Sequence, residues 1–204
     1  GAVDDPSGYT TGKSGYEWTV EVGSTLEERS TLLDNPRYDP RAVSHQDFRS
    51  TFSDQNVTVP GTSIQIGGLE NGPLGCVVDF EHYNWNFAFA DFFTILNFTI
   101  TNNSNDVWQD VYVGYWLDPV IRNVAVTAAG SGGSAFYNKG GSGYLTDDHL
   151  AYEWDAAGDV GRTNSYMGFK YLGSEKNGVF LHPDVDTSFK VHYNSWSFRD
   201  FGSA

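Results

Sequence analysis

Between residues 92 and 101 apolar and polar side chains alternate with a period of two. Phe92, Thr94, Leu96, Phe98 and Ile100 fall on one side, and Phe93, Ile95, Asn97, Thr99 and Thr101 on the other. This is the pattern of a half-buried β-strand. A polar turn, Asn102-Asn103-Ser104-Asn105-Asp106, leads into residues 107–116, where Val111, Val113 and Tyr115 alternate with Tyr112, Gly114 and Trp116. Two such runs joined by a short Asn-rich turn predict a hairpin. Upstream, residues 76–89 form a long β run in which Val78 and Phe80 share a face and Trp85, Phe87 and Phe89 follow in alternation. Residues 165–172 and 188–198 complete the clearer strands.

The first fifty residues read differently. Asp4-Asp5-Pro6-Ser7-Gly8 and Thr11-Gly12-Lys13-Ser14-Gly15 are turn chemistry, with a strand pattern over residues 16–22. Residues 24–33 predict a short helix, with Ser24 as its cap and Glu27 three positions later, as in a capping box. Asn35-Pro36 and Asp39-Pro40 then end any regular element, because a residue before proline avoids the α region. After Asp34 no helix of more than about ten residues is expected, and Gly, Asn and Pro punctuate short strands throughout. The fold class that follows is all-β: an antiparallel β-sandwich, jelly-roll-like, with an irregular N-terminal lead-in. Residues 1–50 form the lead-in and 51–204 the sandwich, together one domain. The segment 130–143, with six glycines and three serines, reads as a loop.

Composition narrows the function classes. With 14 Phe, 12 Tyr and 6 Trp in 204 residues, the chain has the apolar surface for a sizeable core, which argues against intrinsic disorder. Its 26 carboxylates against 12 Lys and Arg give a formal charge of −14. Such a surface repels phosphate backbones and anionic lipid head groups, so neither a nucleic-acid partner nor membrane insertion is expected. No apolar run approaches the ~18–20 residues of a membrane span. The single cysteine, Cys76, excludes an intramolecular disulfide; between Gly75 and Val77-Val78 it reads as a small buried hydrophobe. Few lysines, together with abundant Gly, Asn, Ser and Thr, fit a secreted bacterial protein. The start at Gly1, without an initiator Met or a signal pattern, fits a processed or excised piece.

Catalytic signatures are missing: there is no G-x-S-x-G, H-E-x-x-H or C-x-x-C. The five histidines never pair at i, i+2 or i, i+4. Glu81 and Glu153 sit in aromatic surroundings, as the carboxylates of a glycoside hydrolase do, but that reaction requires two carboxyl groups about 5–9.5 Å apart across a cleft. A glycosidase is therefore a distant alternative, and the chain is read as a non-enzyme. Asp155 and Asp159, in the turn Asp155-Ala156-Ala157-Gly158-Asp159-Val160-Gly161, offer two hard oxygens for a structural Ca²⁺, against the plainer reading of a hairpin turn. Trp85, Trp108, Trp116 and Trp154 are the candidate ligand-binding residues, because an exposed indole stacks on the C–H face of a sugar ring. The competing reading places such rings in the core or at sheet edges.

Several blocks together resemble a known group of proteins. They are Pro73-Leu74-Gly75-Cys76-Val77-Val78, the run from Asp91 to Asn102, Asp110-Val111-Tyr112-Val113-Gly114-Tyr115-Trp116-Leu117-Asp118-Pro119, Ala151-Tyr152-Glu153-Trp154-Asp155, and the run from Gly161 to Gly173, with Ser44-His45-Gln46-Asp47-Phe48 upstream. They are similar to a β-rich region of large secreted surface proteins of Bacteroidetes-like bacteria, cargo of type IX secretion. The resemblance implies an extracellular or cell-surface β-sandwich without catalytic residues. It also implies that this chain is one piece of a longer protein. The function expected is surface adhesion or assembly, with a surface glycan, another cell-surface protein or a second copy as partner; a carbohydrate-binding module is the alternative.

Overall fold

A computed structural model describes residues 19–20, 26–54, 73–115, 117, 119, 121, 140–156, 163–186 and 190–195. The described residues are all-β, without a helix. Ten strands form ladders that are all antiparallel, beside one isolated parallel bridge between Ser30 and Tyr38. The chain divides into two compact units, residues 1–112 and 113–204.

The first unit holds a five-stranded sheet. Its strands are β1 (Thr19–Val20), β2 (Glu27–Arg29), β3 (Gln46–Ser53), β4 (Cys76–Asn84) and β5 (Ile95–Asn102), with β1 and β2 both paired to β3. The β3–β4–β5 register separates two faces, because successive side chains point to opposite sides of a pleated sheet. Phe48, His82 and Leu96 form one row of the apolar face; Ser50, Phe80 and Phe98 form the next, then Phe52, Val78 and Ile100. Phe80 packs on Phe98 with ring centroids 4.8 Å apart, and Val78 is buried. The opposite face carries Asp47, Arg49 and Thr51 beside Tyr83, Glu81 and Asp79, with Asn97 and Thr99 beyond.

Three features of this unit depart from the sequence reading. The helix expected over 24–33 is replaced, in its described part, by β2. Alternation sends Glu27 and Arg29 to the polar face, where Arg29 reaches Glu81 at 3.3 Å, so pairing with β3 overrides the local capping signal. The hairpin of 92–101 with 107–116 is not formed by the described residues: β5 pairs with β4, and residues 107–115 carry no strand. The left-handed backbone of Asp110 (φ 51°) interrupts extension there, after a turn in which Asn102 Nδ2 donates to the Asp106 carbonyl. The long run 76–89 ends as a strand at Asn84 and turns at 87–92, closed by Ala90 N–H to the Phe87 carbonyl.

The second unit holds a three-stranded sheet, β6 (Gly140–Leu145), β7 (Leu150–Asp155) and β8 (Tyr166–Lys170), and the hairpin β9 (Ser174–Lys176) with β10 (Val179–Leu181). The β9–β10 turn is Asn177-Gly178, both with positive φ (54° and 76°), as a two-residue turn of matching twist requires. Residues 140–143, expected to close the Gly-rich loop, are instead the start of β6. Of the strand expected over 188–198, the described residues 190–195 have no strand assignment, and the rest lies outside the described residues.

Candidate functional site

The clearest arrangement for holding a ligand lies on the three-stranded sheet. Its register sets Tyr152 between Gly143 of β6 and Gly168 of β8, and Trp154 between Gly141 and Tyr166. With no side chain at 141 or 143, both rings lie down over β6. A Cβ added at Gly143 would stand 2.5 Å from Tyr152 Cζ, and one at Gly141 would stand 2.7 Å from Trp154 Cζ2, too close for either ring to stay where it is. Tyr152 and Trp154 form an offset stack with centroids 5.3 Å apart and planes 29° from parallel. Both are half-buried, and the neighbouring Tyr166 is exposed. The result is a shelf made of two offset-stacked rings, floored by glycine backbone and flanked by glycine beside Tyr152. Glu153, between them in sequence, belongs to the opposite face.

The other tryptophans are placed differently. Trp85 follows the last residue of β4 and meets Tyr83 (6.5 Å) and Phe93 (6.3 Å). Around the same turn Phe87 and Phe89 stack at 5.2 Å, nearly parallel, and His45 meets Phe87 edge-on at 4.5 Å. Phe89 and Phe92 are 74% and 79% exposed. Trp108 stands by the other end of β4, where its Nε1–H donates to the Leu74 carbonyl at 3.3 Å; this bond ties residues 103–108 to the strand entry. Trp108 therefore joins no group with Trp85. Trp116 lies outside the described residues.

Asp155 is buried at the end of β7. Its Oδ2 accepts the Thr163 N–H at 3.2 Å, and its Oδ1 is buried without a hydrogen-bond partner among the described residues. Asp159 lies outside the described residues. Among the described residues no group of three or more His, Cys, Asp or Glu side chains is placed to hold a metal ion.

Glu81 is saturated by its own sheet. It takes Arg29 Nη2 at 3.3 Å on Oε1, and Tyr83 O–H at 2.8 Å and Asn97 Nδ2 at 3.2 Å on Oε2. Burial and this neighbouring carboxylate hold the Tyr83 phenol above its ordinary pKa. Glu81 belongs to the first unit and Glu153 to the second.

Sequence reasoning picked out Trp154 and missed Tyr152 as its partner. The signal was present: aromatic residues at 152 and 154 and glycines at 141 and 143 share one parity, but only the strand register brings them opposite one another. Compared with protein families, with curated proteins and with solved structures, the chain matches none.

Proposed function

We propose that the chain is a non-enzymatic, extracellular β-sandwich module of jelly-roll type that acts in surface adhesion, and that it holds a surface glycan on the Tyr152–Trp154 shelf. The observation that carries this reading is the pair of stacked rings that approach the backbone of Gly141 and Gly143. An apolar aromatic face suits the C–H face of a sugar, and removing an aromatic from such a contact costs about 1.5 kcal/mol or more, roughly tenfold in affinity. The test is a glycan-array screen of the chain and of Trp154→Ala, run with calcium and then with chelator. Specific binding lost in Trp154→Ala supports the reading, and calcium dependence directs attention to Asp155. Binding to no glycan sinks it.

A second reading, docking of another cell-surface protein or a second copy of the chain, draws on the exposed rings of the β4–β5 turn, Phe89 and Phe92 foremost. A monodisperse monomer at high concentration counts against the self-association form of it.

A further inference from the structure

Resting on the self-association form of the second reading, we infer that β5 pairs with β5 of a second copy of the chain in an antiparallel, two-fold ladder, so that the contact runs along the sheet edge rather than through the turn rings. Among the described residues β5 pairs with β4 alone, which makes it the margin of the five-stranded sheet. Six of its eight residues are exposed, including Leu96 (37%) and Ile100 (40%) on the apolar face. The β4–β5 register runs unbroken from Cys76–Asn102 to Tyr83–Ile95, so no bulge twists the edge away. The strand carries no lysine, no proline and no inward-pointing charge, the other devices that keep exposed edges apart. Ile95, Thr99, Ile100 and Thr101 are β-branched and suit an extended, pleated backbone.

The backbone groups of an edge call for another extended strand, and charge points to whose it is. No charged residue lies between Asp91 and Asp106, in a chain of formal charge −14. A partner of different sequence is selected by charge complementarity, and β5 offers no charge to read. A two-fold contact sets identical segments across from one another, which is favourable where no like charges face each other. The strand is also self-complementary in polarity. Centred on Phe98, the ladder overlaps residues 95–101 of both copies. It sets Leu96 opposite Ile100 of the partner subunit on the apolar face, and Asn97 opposite Thr99 of the partner subunit on the polar face. Elsewhere the two acidic surfaces repel, so association tightens as salt screens them, the reverse of a contact made by ion pairs. Such a dimer carries two copies of each unit, and two-point attachment to a repeating surface strengthens adhesion without any new contact.

The experiment is analytical ultracentrifugation of the full chain up to roughly 1 mM, at low and at high salt. A dimer is expected, its dissociation constant falling by about threefold or more between about 0.02 and 0.5 M NaCl. Thr99 is exposed and stands opposite Asp79 in the β4–β5 register, so a lysine there is tolerated in the single chain. In the two-fold ladder the same substitution brings two lysines diagonally together. Thr99→Lys is expected to weaken association by about tenfold or more, Thr99→Glu likewise, and an equimolar mixture of the two to restore it. Unchanged circular-dichroism spectra show that both variants are folded. A monomer throughout overturns the pairing and the self-association reading together, and leaves the shelf untouched. Association that survives Thr99→Lys overturns the edge assignment and leaves self-association standing. Loss in Thr99→Lys without recovery in the mixture, or association that loosens as salt rises, overturns the two-fold uncharged ladder.

Discussion

Asp47 organises the entry to the central sheet, and its removal has a cost that follows from its bonds. The side chain is fully buried on the polar face of β3. Its Oδ2 accepts the Val43 N–H at 2.7 Å, and its Oδ1 accepts the Ser44 N–H at 2.8 Å and the Ser44 hydroxyl at 2.5 Å. Ser44 Oγ in turn accepts the Asn84 N–H at 2.9 Å, so one carboxylate fixes the bend before β3 and, through Ser44, the end of β4. A hydrogen bond to a charged group contributes about 1.5–3 kcal/mol, and a buried donor left unmet costs a similar amount. Asp47→Ala strands two backbone N–H groups, while the Ser44 hydroxyl keeps the Gln46 carbonyl at 3.0 Å as an acceptor, and it also removes the desolvation of a buried carboxylate. The net loss is about 3–4 kcal/mol. Asp47→Asn keeps Oδ1 as an acceptor but turns an NH₂ toward one donor, for about 2 kcal/mol. Urea unfolding gives the totals, and amide exchange at Val43, Ser44 and Asn84 shows whether the loss is local. A cost below about 1 kcal/mol for Asp47→Ala, with those amides still protected, refutes the reasoning.

Other expectations follow from single sites. Gly75 has a left-handed φ of 73°, and an added Cβ would stand 2.9 Å from Ser104 Cβ. Gly75→Ala therefore lowers stability by about 1–2 kcal/mol in the same urea assay. His82 lies on the apolar face between Phe48 and Phe80, at 6.0 and 6.3 Å, and burial lowers its pKa. The folded state thus binds its proton less readily than the unfolded chain does. The contribution is fully present above the unfolded value of 6.5 and is lost as pH falls from there through the lower folded value. Unfolding midpoints should drop over that window, and His82→Gln should flatten the drop; equal slopes contradict it. The Cys76 thiol is buried, and its pKa is pushed up by that burial and by the Asp54 charge. Native chain should resist a thiol reagent at mildly alkaline pH and react once urea unfolds it; rapid labelling without urea contradicts this burial.

The sequence pattern made several long strands legible because their side chains alternate in polarity: β4 and β8 fall within expected runs and β5 does so up to its last residue, whereas β7 was not expected. It misled where tertiary pairing outweighs a local signal. Glu27, Glu28 and Arg29 suit a helix, yet their alternation against β3 brings Arg29 to Glu81. Val111, Val113 and Tyr115 alternate as strand residues do, yet they follow the left-handed backbone of Asp110 and carry no strand. The β9–β10 hairpin was signalled by Asn177-Gly178 and overlooked, because three-residue strands carry almost no periodicity. For the site, Trp154 could be singled out by type. The shelf could not, since it depends on Gly141 and Gly143 standing opposite two aromatics whose register is set by the turn at 146–149.

The most direct test of the central proposal is the affinity of the full chain for glycans measured beside Gly143→Ala, a change that removes no ring. The shelf account predicts binding by the native chain and substantially weaker binding by the variant, because the added methyl collides with Tyr152 and displaces it from its stack on Trp154. Undiminished binding by Gly143→Ala, with its fold intact, contradicts the account.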